Sequence, residues 1–314
     1  MSTDGVTFSS LETELFDGAG VTKGELVAYL EAMADRVLPA LRGRALSVVR
    51  ARPGQAPFMQ KNLPAHAPDW IATTTEWAGA SKREVRYPMA DDARTLLWLA
   101  NQRAVELHPA LVLAATRHQT HLVIDLDPAE GDDVQAGFRQ AVACAGRVRE
   151  VLDAAGLRAA VKTTGSKGLH LLVPLTDDHD VEAVAAATRA IAVRAAGLDP
   201  AVGTTEYVKE RREGRVFIDS TRAGGSTLAA VYSPRARPGV PVSCPVRWED
   251  LDDVVPADLT VRTVPALLGV SDPWAEAMPQ AQRLPDDLVG EGAAIPVARV
   301  QAMHEGKRRR RAAG

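Results

Sequence analysis

One stretch of the sequence, residues 121–128 with the letters HLVIDLDP, constrains the fold more than any other. Val123 and Ile124 are β-branched and favour an extended backbone, so the stretch predicts a strand. Because side chains alternate across a strand, Asp125 and Asp127 should share one face, with Cα atoms about 7 Å apart. Neighbouring carboxylates repel each other, and a hard divalent cation relieves that repulsion. The pattern indicates a metal site, or alternatively a solvated pair of acids before a proline turn.

A second informative stretch, LRAAVKTTGSKGLHLLVPL, predicts a strand to Lys162, a loop, and a strand from Leu169 to Leu175. The loop glycines let backbone N–H groups approach an anion, while Lys167 adds a charge and Thr164 a hydroxyl. The loop is typical of a phosphate cradle, although it lacks the Gly-x-x-x-x-Gly-Lys-Ser/Thr spacing of a Walker loop. An ordinary hairpin without a ligand is the alternative.

A third carboxylate follows much later in the chain. A strand is predicted from Arg215 to Ile218, ending in Asp219, and Arg222 and Arg235 come after it. An acid at a strand end could supply the third carboxylate ligand of a metal site that Asp125 and Asp127 begin. Taken alone, however, Asp219 fits better as a turn residue or as the partner of a nearby arginine.

The first part of the chain predicts a helix followed by a hairpin. The helix extends from Thr22, which can cap it, to Leu41, with apolar side chains at helical spacing. A strand from Ala45 to Arg50, a turn at Arg52-Pro53-Gly54 and an extended segment with Phe58 and Lys61 come next. An aromatic ring beside cations can hold a base and a phosphate. The alternative places Phe58 in the core and Lys61 in solvent.

A further helix is predicted from near Asp91 to His108-Pro109, because acids open its first turn. His108 should then lie at the end of this helix. A histidine in that position is ordinarily a surface residue or a cap, and a role at a functional site is the alternative. Alanine-rich helices are also expected before Gly156 and before Gly197.

Composition limits the classes of protein that this chain can belong to. The 314 residues include only Cys144 and Cys244, which excludes a disulfide framework and the close spacing of a zinc site. No apolar run approaches the ~18 residues that span a bilayer, and the N-terminus lacks the features of a signal peptide. We therefore expect a soluble, cytoplasmic protein. The net charge is −3, yet basic residues cluster before residue 62 and from Lys307 to Arg311, where they can meet a phosphate backbone.

Taken together, IDLDP, TTGSKGLH and VFID in this order, with ELHP before them and YSPRARPG after, resemble the archaeo-eukaryotic primase superfamily. The chain is most similar to the polymerase module of bacterial ligase D and its stand-alone relatives, from about Phe16 to Leu251. The resemblance implies an α+β fold with an RRM-like mixed catalytic sheet. It also implies an N-terminal subdomain over 1–115, a catalytic subdomain over 116–290 and a flexible basic tail over 291–314.

The resemblance also implies roles for individual residues. Asp125, Asp127 and Asp219 match acids that hold two divalent ions, Mn²⁺ or Mg²⁺, between the primer 3′-hydroxyl and the nucleotide α-phosphate. Six residues are expected to bind the nucleotide: His108, Thr164, Ser166, Lys167, His170 and Arg235. Five are expected to contact DNA: Lys23, Arg52, Phe58, Lys61 and Arg222. Among these, Phe58 and Lys61 match a template-contacting hairpin, and Lys23 matches one of two lysines that bind a downstream 5′-phosphate.

The second lysine of that phosphate pocket is absent, because the corresponding region reads Leu11-Glu12-Thr13-Glu14-Leu15. Acids in place of a cation weaken the anchoring of a recessed 5′ end. Gap filling and end bridging are therefore expected to depend less on the 5′-phosphate.

The implied activity is template-directed transfer of NTPs or dNTPs to a primer 3′ end, in gap filling or non-homologous end joining, with primer synthesis as a further activity. The expected partners are primer-template, gapped or broken DNA and a separate DNA ligase or Ku, and the chain is expected to act as a monomer near the nucleoid. One alternative is a phosphatase of the haloacid-dehalogenase kind, although Pro128-Ala129 stands where that class needs Gly-Thr. The other is a DNA-end-binding module without catalysis.

Overall fold

The computed structural model describes residues 2–3, 5–78, 82–131, 133–176, 179–223 and 226–297. The basic run from Lys307 to Arg311 and most of the expected tail lie outside the described residues. Helices combined with a mixed sheet confirm the predicted α+β class. Within the described ranges, no helix has both the length and the apolar character needed to cross a membrane.

In the described residues, the first part of the chain forms three helices and seven strands. They are β1 (Ser2–Thr3), β2 (Val6–Thr7), α1 (Lys23–Ala32), α2 (Ala34–Leu41), β3 (Leu46–Arg52), β4 (Gln55–Gln60), β5 (Thr73–Ala78), β6 (Arg83–Pro88), α3 (Ala93–Asn101) and β7 (Ala104–Pro109). Strands β3, β4 and β7 form a three-stranded antiparallel sheet in the order β4-β3-β7.

The second part of the chain contributes the larger sheet and the remaining helices. They are β8 (His121–Asp127), α4 (Val134–Ala154), β9 (Ala160–Thr163), β10 (Leu169–Pro174), α5 (Val181–Leu198), β11 (Gly203–Thr204), β12 (Val216–Asp219), β13 (Pro245–Val246), α6 (Val264–Leu268), α7 (Pro273–Ala277) and α8 (Asp286–Ala294). The sheet order is β11-β12-β8-β10-β9-β13, and β11 is parallel to β12 while the other pairs are antiparallel.

The two faces of the larger sheet differ in character. Ile124 and Leu126 on β8 point into an apolar core that also contains Phe138 of α4 and Ile191 of α5. Since side chains alternate along a strand, Asp125 lies on the opposite face of β8. The sheet therefore has one face packed against helices and one face that carries the acids.

The helix predicted over residues 22–41 is present as two helices. Thr22 caps α1 as predicted, and its hydroxyl accepts a hydrogen bond from the backbone N–H of Glu25, whose side chain accepts one from Thr22 N–H. At Met33 the backbone leaves the helical region, with φ −101° and ψ 4°, and α2 begins at the next residue.

The predicted position of His108 at a helix end is wrong. Helix α3 ends at Asn101, and His108 lies on β7, which pairs with β3 so that His108 is opposite Ser47. The letters AVELHP alternate apolar and polar residues, which is the period of a strand. The strand pairing with β3 therefore prevails over the helical pattern that precedes it.

Candidate active site

Four polar residues form a row across the larger sheet. Asp219 on β12 is directly opposite Asp125 on β8, His170 on β10 is opposite Asp125, and Lys162 on β9 is opposite His170. Directly opposite residues in a sheet present their side chains on the same face. The exposed fractions of Asp219, Asp125, His170 and Lys162 are only 7%, 8%, 4% and 1%. The predicted convergence of Asp219 with Asp125 is thus a consequence of strand register.

Arg222 and Thr221 follow β12 and contact the two buried acids of this row. Arg222 Nη2 lies 3.2 Å from Asp125 Oδ2, and Arg222 Nε lies 3.2 Å from Asp219 Oδ2. The other oxygen of Asp219, Oδ1, accepts hydrogen bonds from Thr221 N at 2.8 Å and Thr221 Oγ1 at 2.6 Å. Arg222, predicted to contact DNA, therefore bridges two carboxylates.

Asp127 lies two residues beyond Asp125 on the same face and is more open to solvent, with 53% of its side chain exposed. Arg212 Nη1 lies 3.4 Å from Asp127 Oδ2. The guanidinium of Arg212 also lies 3.9 Å from the centre of the Phe217 ring, a cation–π distance. Asp127 is therefore the accessible acid of the three.

The two acids of β8 have opposite pKa shifts. Burial opposes ionisation of Asp125, but His170 and the charge of Arg222 outweigh it and lower the pKa of Asp125 to about 2. Partial burial and the charge of Asp125 raise the pKa of Asp127, and Arg212 offsets only part of this increase. Asp125 is thus held ionised. An added cation would favour ionisation of Asp127 more, because the pKa of Asp127 is raised.

The donor set suits a hard divalent ion, because all three acids offer carboxylate oxygen ligands. Two of them face each other across adjacent strands and the third is two residues away. As the side chains lie, however, no three His, Cys, Asp or Glu residues within the described ranges form a group that could hold an ion. The acids fit a metal chemically, but some side chains must move for all three to bind one.

Lys162 and His170 extend the row away from the acids. Lys162 Nζ lies 2.6 Å from His170 Nδ1 and donates to the Ala229 carbonyl and to Ser243 Oγ. His170 Nε2 lies 3.4 Å from Asp125 Oδ1. Burial and the charge of Lys162 lower the pKa of His170 to about 4, and burial lowers the pKa of Lys162 strongly. A neutral His170 that accepts from Lys162 at Nδ1 directs its Nε2 proton toward Asp125.

The loop between β9 and β10 forms the predicted hairpin. Thr164 N donates to Gly168 O at 3.0 Å, and Thr164 Oγ1 accepts from Gly168 N at 3.2 Å. Lys167 Nζ donates to the Ala129 carbonyl, next to the acid strand. Ser166 is half-buried at the tip. The Thr164 hydroxyl, expected to contact phosphate, braces the loop in this conformation.

Glu106 joins the two expected nucleotide-binding residues that lie outside the hairpin. Its Oε2 lies 2.7 Å from His108 Nε2 and 3.0 Å from Arg235 Nε, and its Oε1 accepts from Ala236 N at 2.9 Å. Arg235 Nη1 in turn donates to the Thr164 carbonyl. Sequence reasoning missed Glu106, although the alternation of AVELHP places it on the same strand face as His108.

The expected DNA-contacting residues fall in separate places. Phe58 is 37% exposed on β4, and Arg50 and Arg52 place their guanidinium carbons 6.0 and 5.8 Å from its ring centre. Lys61 is exposed just after β4. Lys23 is only 3% exposed and donates to the Ser9 carbonyl, and its burial, together with Arg103, lowers its pKa. The hairpin thus offers an exposed surface, whereas Lys23 is largely enclosed.

The sequence also matches a known family and curated proteins. The family model of the LigD primase-polymerase domain matches residues 22–274. The bifunctional non-homologous end joining protein LigD of Bacillus subtilis is 32% identical over 262 residues, which cover 82% of this chain and 41% of that protein. The multifunctional non-homologous end joining DNA repair protein LigD of Mycobacterium tuberculosis H37Rv is 33% identical, with 79% and 34% covered. The chain therefore spans about a third to two fifths of the length of these relatives.

A solved structure agrees with the sequence matches. The polymerase domain of Mycobacterium tuberculosis ligase D in complex with DNA superimposes with a TM-score of 0.78 and 30% identity, covering 88% of this chain and 99% of that chain. The match includes nearly all of that domain, so the expected fold is confirmed. The chain belongs to the LigD primase-polymerase domain family, a family of DNA-directed nucleotidyltransferases.

Proposed function

We propose that this chain extends a primer 3′ end on a DNA template during the repair of gapped or broken DNA. The observation that carries this proposal is the register that sets Asp219 opposite Asp125, with the Lys167 hairpin beside them. Two buried acids at adjacent strand positions, next to a basic hairpin, suit a reaction in which divalent cations bound by the acids neutralise a polyanionic triphosphate. The solved relative that carries DNA supports the same substrate class.

Polymerase domains of this family are metal-dependent, and we assign the metal ligands of this chain to Asp125, Asp127 and Asp219. When bound, Mn²⁺ or Mg²⁺ lowers the pKa of an attacking hydroxyl and neutralises charge on a leaving pyrophosphate. The protein's own contribution is to hold Asp125 ionised, which His170 and Arg222 achieve. It also keeps Asp127 accessible at the edge of the row.

The triphosphate is assigned to the β9–β10 hairpin and to His108 and Arg235, the two side chains that contact Glu106. Lys167 supplies a charge, and Ser166 and the backbone N–H groups of the loop supply hydrogen-bond donors. Glu106 orients His108 and Arg235 by contacting both side chains. An NTP or dNTP would thus be held between the row of acids and β7.

DNA is assigned to the β3–β4 hairpin, where Phe58 can stack on a base while Arg52 and Lys61 contact phosphates. The relatives are named for non-homologous end joining, and we propose that this chain is recruited to broken ends together with Ku and a DNA ligase. We propose that it acts there on chromosomal ends, at the nucleoid.

The proposal is tested by primer extension with Asp125→Asn and Asp127→Asn variants. Both should abolish extension while DNA binding persists, because the substitution removes a charge with little change of shape. Substrates should include an open template, a gapped duplex with and without a 5′-phosphate, and a primer-free template, each with ribo- and deoxyribonucleotides. Full extension by both variants would refute the proposal. Phosphate release without a template would instead favour a phosphatase.

A further inference from the structure

The guanidinium of Arg222 occupies the space between the two acids that face each other on β8 and β12. It contacts Oδ2 of Asp125 and Oδ2 of Asp219, each at 3.2 Å. The remaining oxygens are used elsewhere: Thr221 donates twice to Asp219 Oδ1, and His170 Nε2 lies 3.4 Å from Asp125 Oδ1. Arg222 therefore covers the oxygens of this pair that the neighbouring residues leave open.

The negative charges of Asp125 and Asp219 explain why the guanidinium of Arg222 is stable between them. The side chains of Asp125 and Asp219 are 12% and 10% exposed, and two such carboxylates side by side repel each other. A guanidinium keeps its charge at any pH at which the protein is folded, and two of its nitrogens lie 3.2 Å from the carboxylate oxygens of Asp125 and Asp219. Arg222 is thus a fully charged counter-ion to the acid pair.

A divalent ion would need the same oxygens. No group of three metal-binding side chains is assembled in the part of the chain that the structure describes. Two cations cannot approach the same carboxylate oxygens closely without strong mutual repulsion. Binding of an ion by Asp125 and Asp219 therefore requires the guanidinium to move, and 40% of the Arg222 side chain is already exposed to solvent.

We propose that Arg222 is a built-in counter-ion that a divalent cation must displace from Asp125 and Asp219. The inference rests on the proposed function, because it takes these acids as the metal ligands. The same contact then has two opposite effects: it stabilises the metal-free protein and it weakens the binding of the first ion.

The direct test is a titration with Mn²⁺ alone, followed by electron paramagnetic resonance, on the wild-type chain, Arg222→Gln and Arg222→Lys. Arg222→Gln should bind Mn²⁺ about tenfold more tightly, because charged hydrogen bonds to the two acids no longer compete. Arg222→Lys keeps the charge without the fork of donors and should give an intermediate affinity.

Lys209→Gln is the matched control for the loss of one positive charge. Lys209 pairs with Glu130 at 2.6 Å and its side chain is 62% exposed. Because it does not contact the acid pair, its removal should change the affinity for Mn²⁺ by less than about twofold at physiological salt. An equal gain in Lys209→Gln and Arg222→Gln would overturn the inference, since general charge would then explain it.

Thermal unfolding gives a second readout that does not depend on activity. In EDTA, Arg222→Gln should unfold at a lower temperature than the wild type, and Mn²⁺ should raise its Tm by more. Equal or weaker Mn²⁺ binding by Arg222→Gln overturns the inference. If Asp125→Asn abolishes Mn²⁺ binding in that case, the proposed function still stands; if Asp125→Asn binds Mn²⁺ as the wild type does, the proposed function fails too.

Discussion

Glu106 links the stability of the chain to its proposed nucleotide site. It is 7% exposed and contacts both His108 and Arg235. Burial opposes its ionisation, but the hydrogen bond with His108 and the charge of Arg235 lower its pKa from 4.5 to about 2. A carboxylate held in this way both fixes the side chains of His108 and Arg235 and contributes to folding.

Glu106→Gln should therefore change the pH dependence of stability. Because the folded-state pKa lies below the unfolded one, ionised Glu106 stabilises the fold above about pH 4.5, and this contribution is lost as the pH falls toward 2. A shift of this size corresponds to roughly 3 kcal/mol in the free energy of unfolding. Urea unfolding of both proteins at several pH values measures it as a difference that shrinks in acid.

The exposed Glu150, with 54% of its side chain exposed, offers a control for Glu106. Glu150→Gln should alter the free energy of unfolding by less than about 0.5 kcal/mol at every pH, since surface ion pairs contribute little. A difference between wild type and Glu106→Gln that stays constant from pH 7 to pH 3 would contradict the role given to Glu106.

At the scale of elements, the local patterns predict the strands and the hairpin well. The alternation around Asp125 and the glycines around Lys167 depend only on neighbouring residues, and β8, β9 and β10 form where expected. The row itself could not be derived from these patterns, because it requires β12 to pair with β8 in one register. A shift of one residue would have turned Asp219 to the opposite face.

The same reason explains what sequence reasoning missed. Glu106 and His108 come directly after a helical pattern, and their short alternating segment forms a strand because it pairs with β3. Lys162 marks the end of a predicted strand, yet its burial beside His170 depends on the β9–β10 pairing. Long-range strand pairing thus determines which side chains meet at the site, and local propensity determines where most of the strands and helices that carry them form.

A substitution at Gly168 would test how closely the β9–β10 hairpin packs against β8. A Cβ atom at Gly168 would lie 2.4 Å from the backbone oxygen of Leu126, which cannot move without disturbing β8. We expect Gly168→Ala to lower the free energy of unfolding by about 1–3 kcal/mol, as overpacking does. Urea unfolding measures this, and nucleotide binding should weaken in parallel because the loop is displaced.

Gly146 provides the control for this substitution. It lies in the middle of α4, and apart from its chain neighbours and the nearby backbone of α4 no atom lies within 4 Å of the position that its Cβ would take. Gly146→Ala should leave stability unchanged or raise it by up to about 1 kcal/mol, because alanine favours the helix. If both variants were equally stable, the hairpin would not be confined by β8.

For the whole molecule, the chain returns after β12 to the apolar core that contains residues of α1, α2 and β7. Ala230, Tyr232, Val242 and Val264 belong to this core, and the hydroxyl of Tyr29 donates to the Tyr232 carbonyl at 2.8 Å. The backbone N–H of Leu107 donates to Ser233 Oγ at 2.9 Å. This return places Arg235 beside Glu106 and the β9–β10 hairpin, so the proposed nucleotide site combines residues from both parts of the chain.

The proposed contact with the 5′-phosphate at the far end of a gap involves the N-terminal region. Lys23 is enclosed and donates to the Ser9 carbonyl, so its ammonium is already hydrogen-bonded inside the protein. The segment that lacks the second lysine is fixed from within: Arg103 Nη1 donates to the carbonyls of Glu14 and Leu15 at 2.9 and 3.1 Å. Glu14 also accepts from Gly20 N at 2.7 Å. The segment is therefore held in place, with Glu12 exposed to solvent and Glu14 bound to Gly20.

We therefore expect gapped duplexes with and without a 5′-phosphate to bind with affinities within about threefold of each other, because one enclosed lysine gains little from one phosphate. Fluorescence anisotropy at two salt concentrations measures both affinities. Lys23→Gln should leave their ratio unchanged, whereas Lys61→Gln should weaken both duplexes alike and reduce the salt dependence. A preference for the 5′-phosphate of tenfold or more that is lost in Lys23→Gln would show that Lys23 leaves Ser9 to bind the phosphate, and that the acids of residues 12–14 do not repel it.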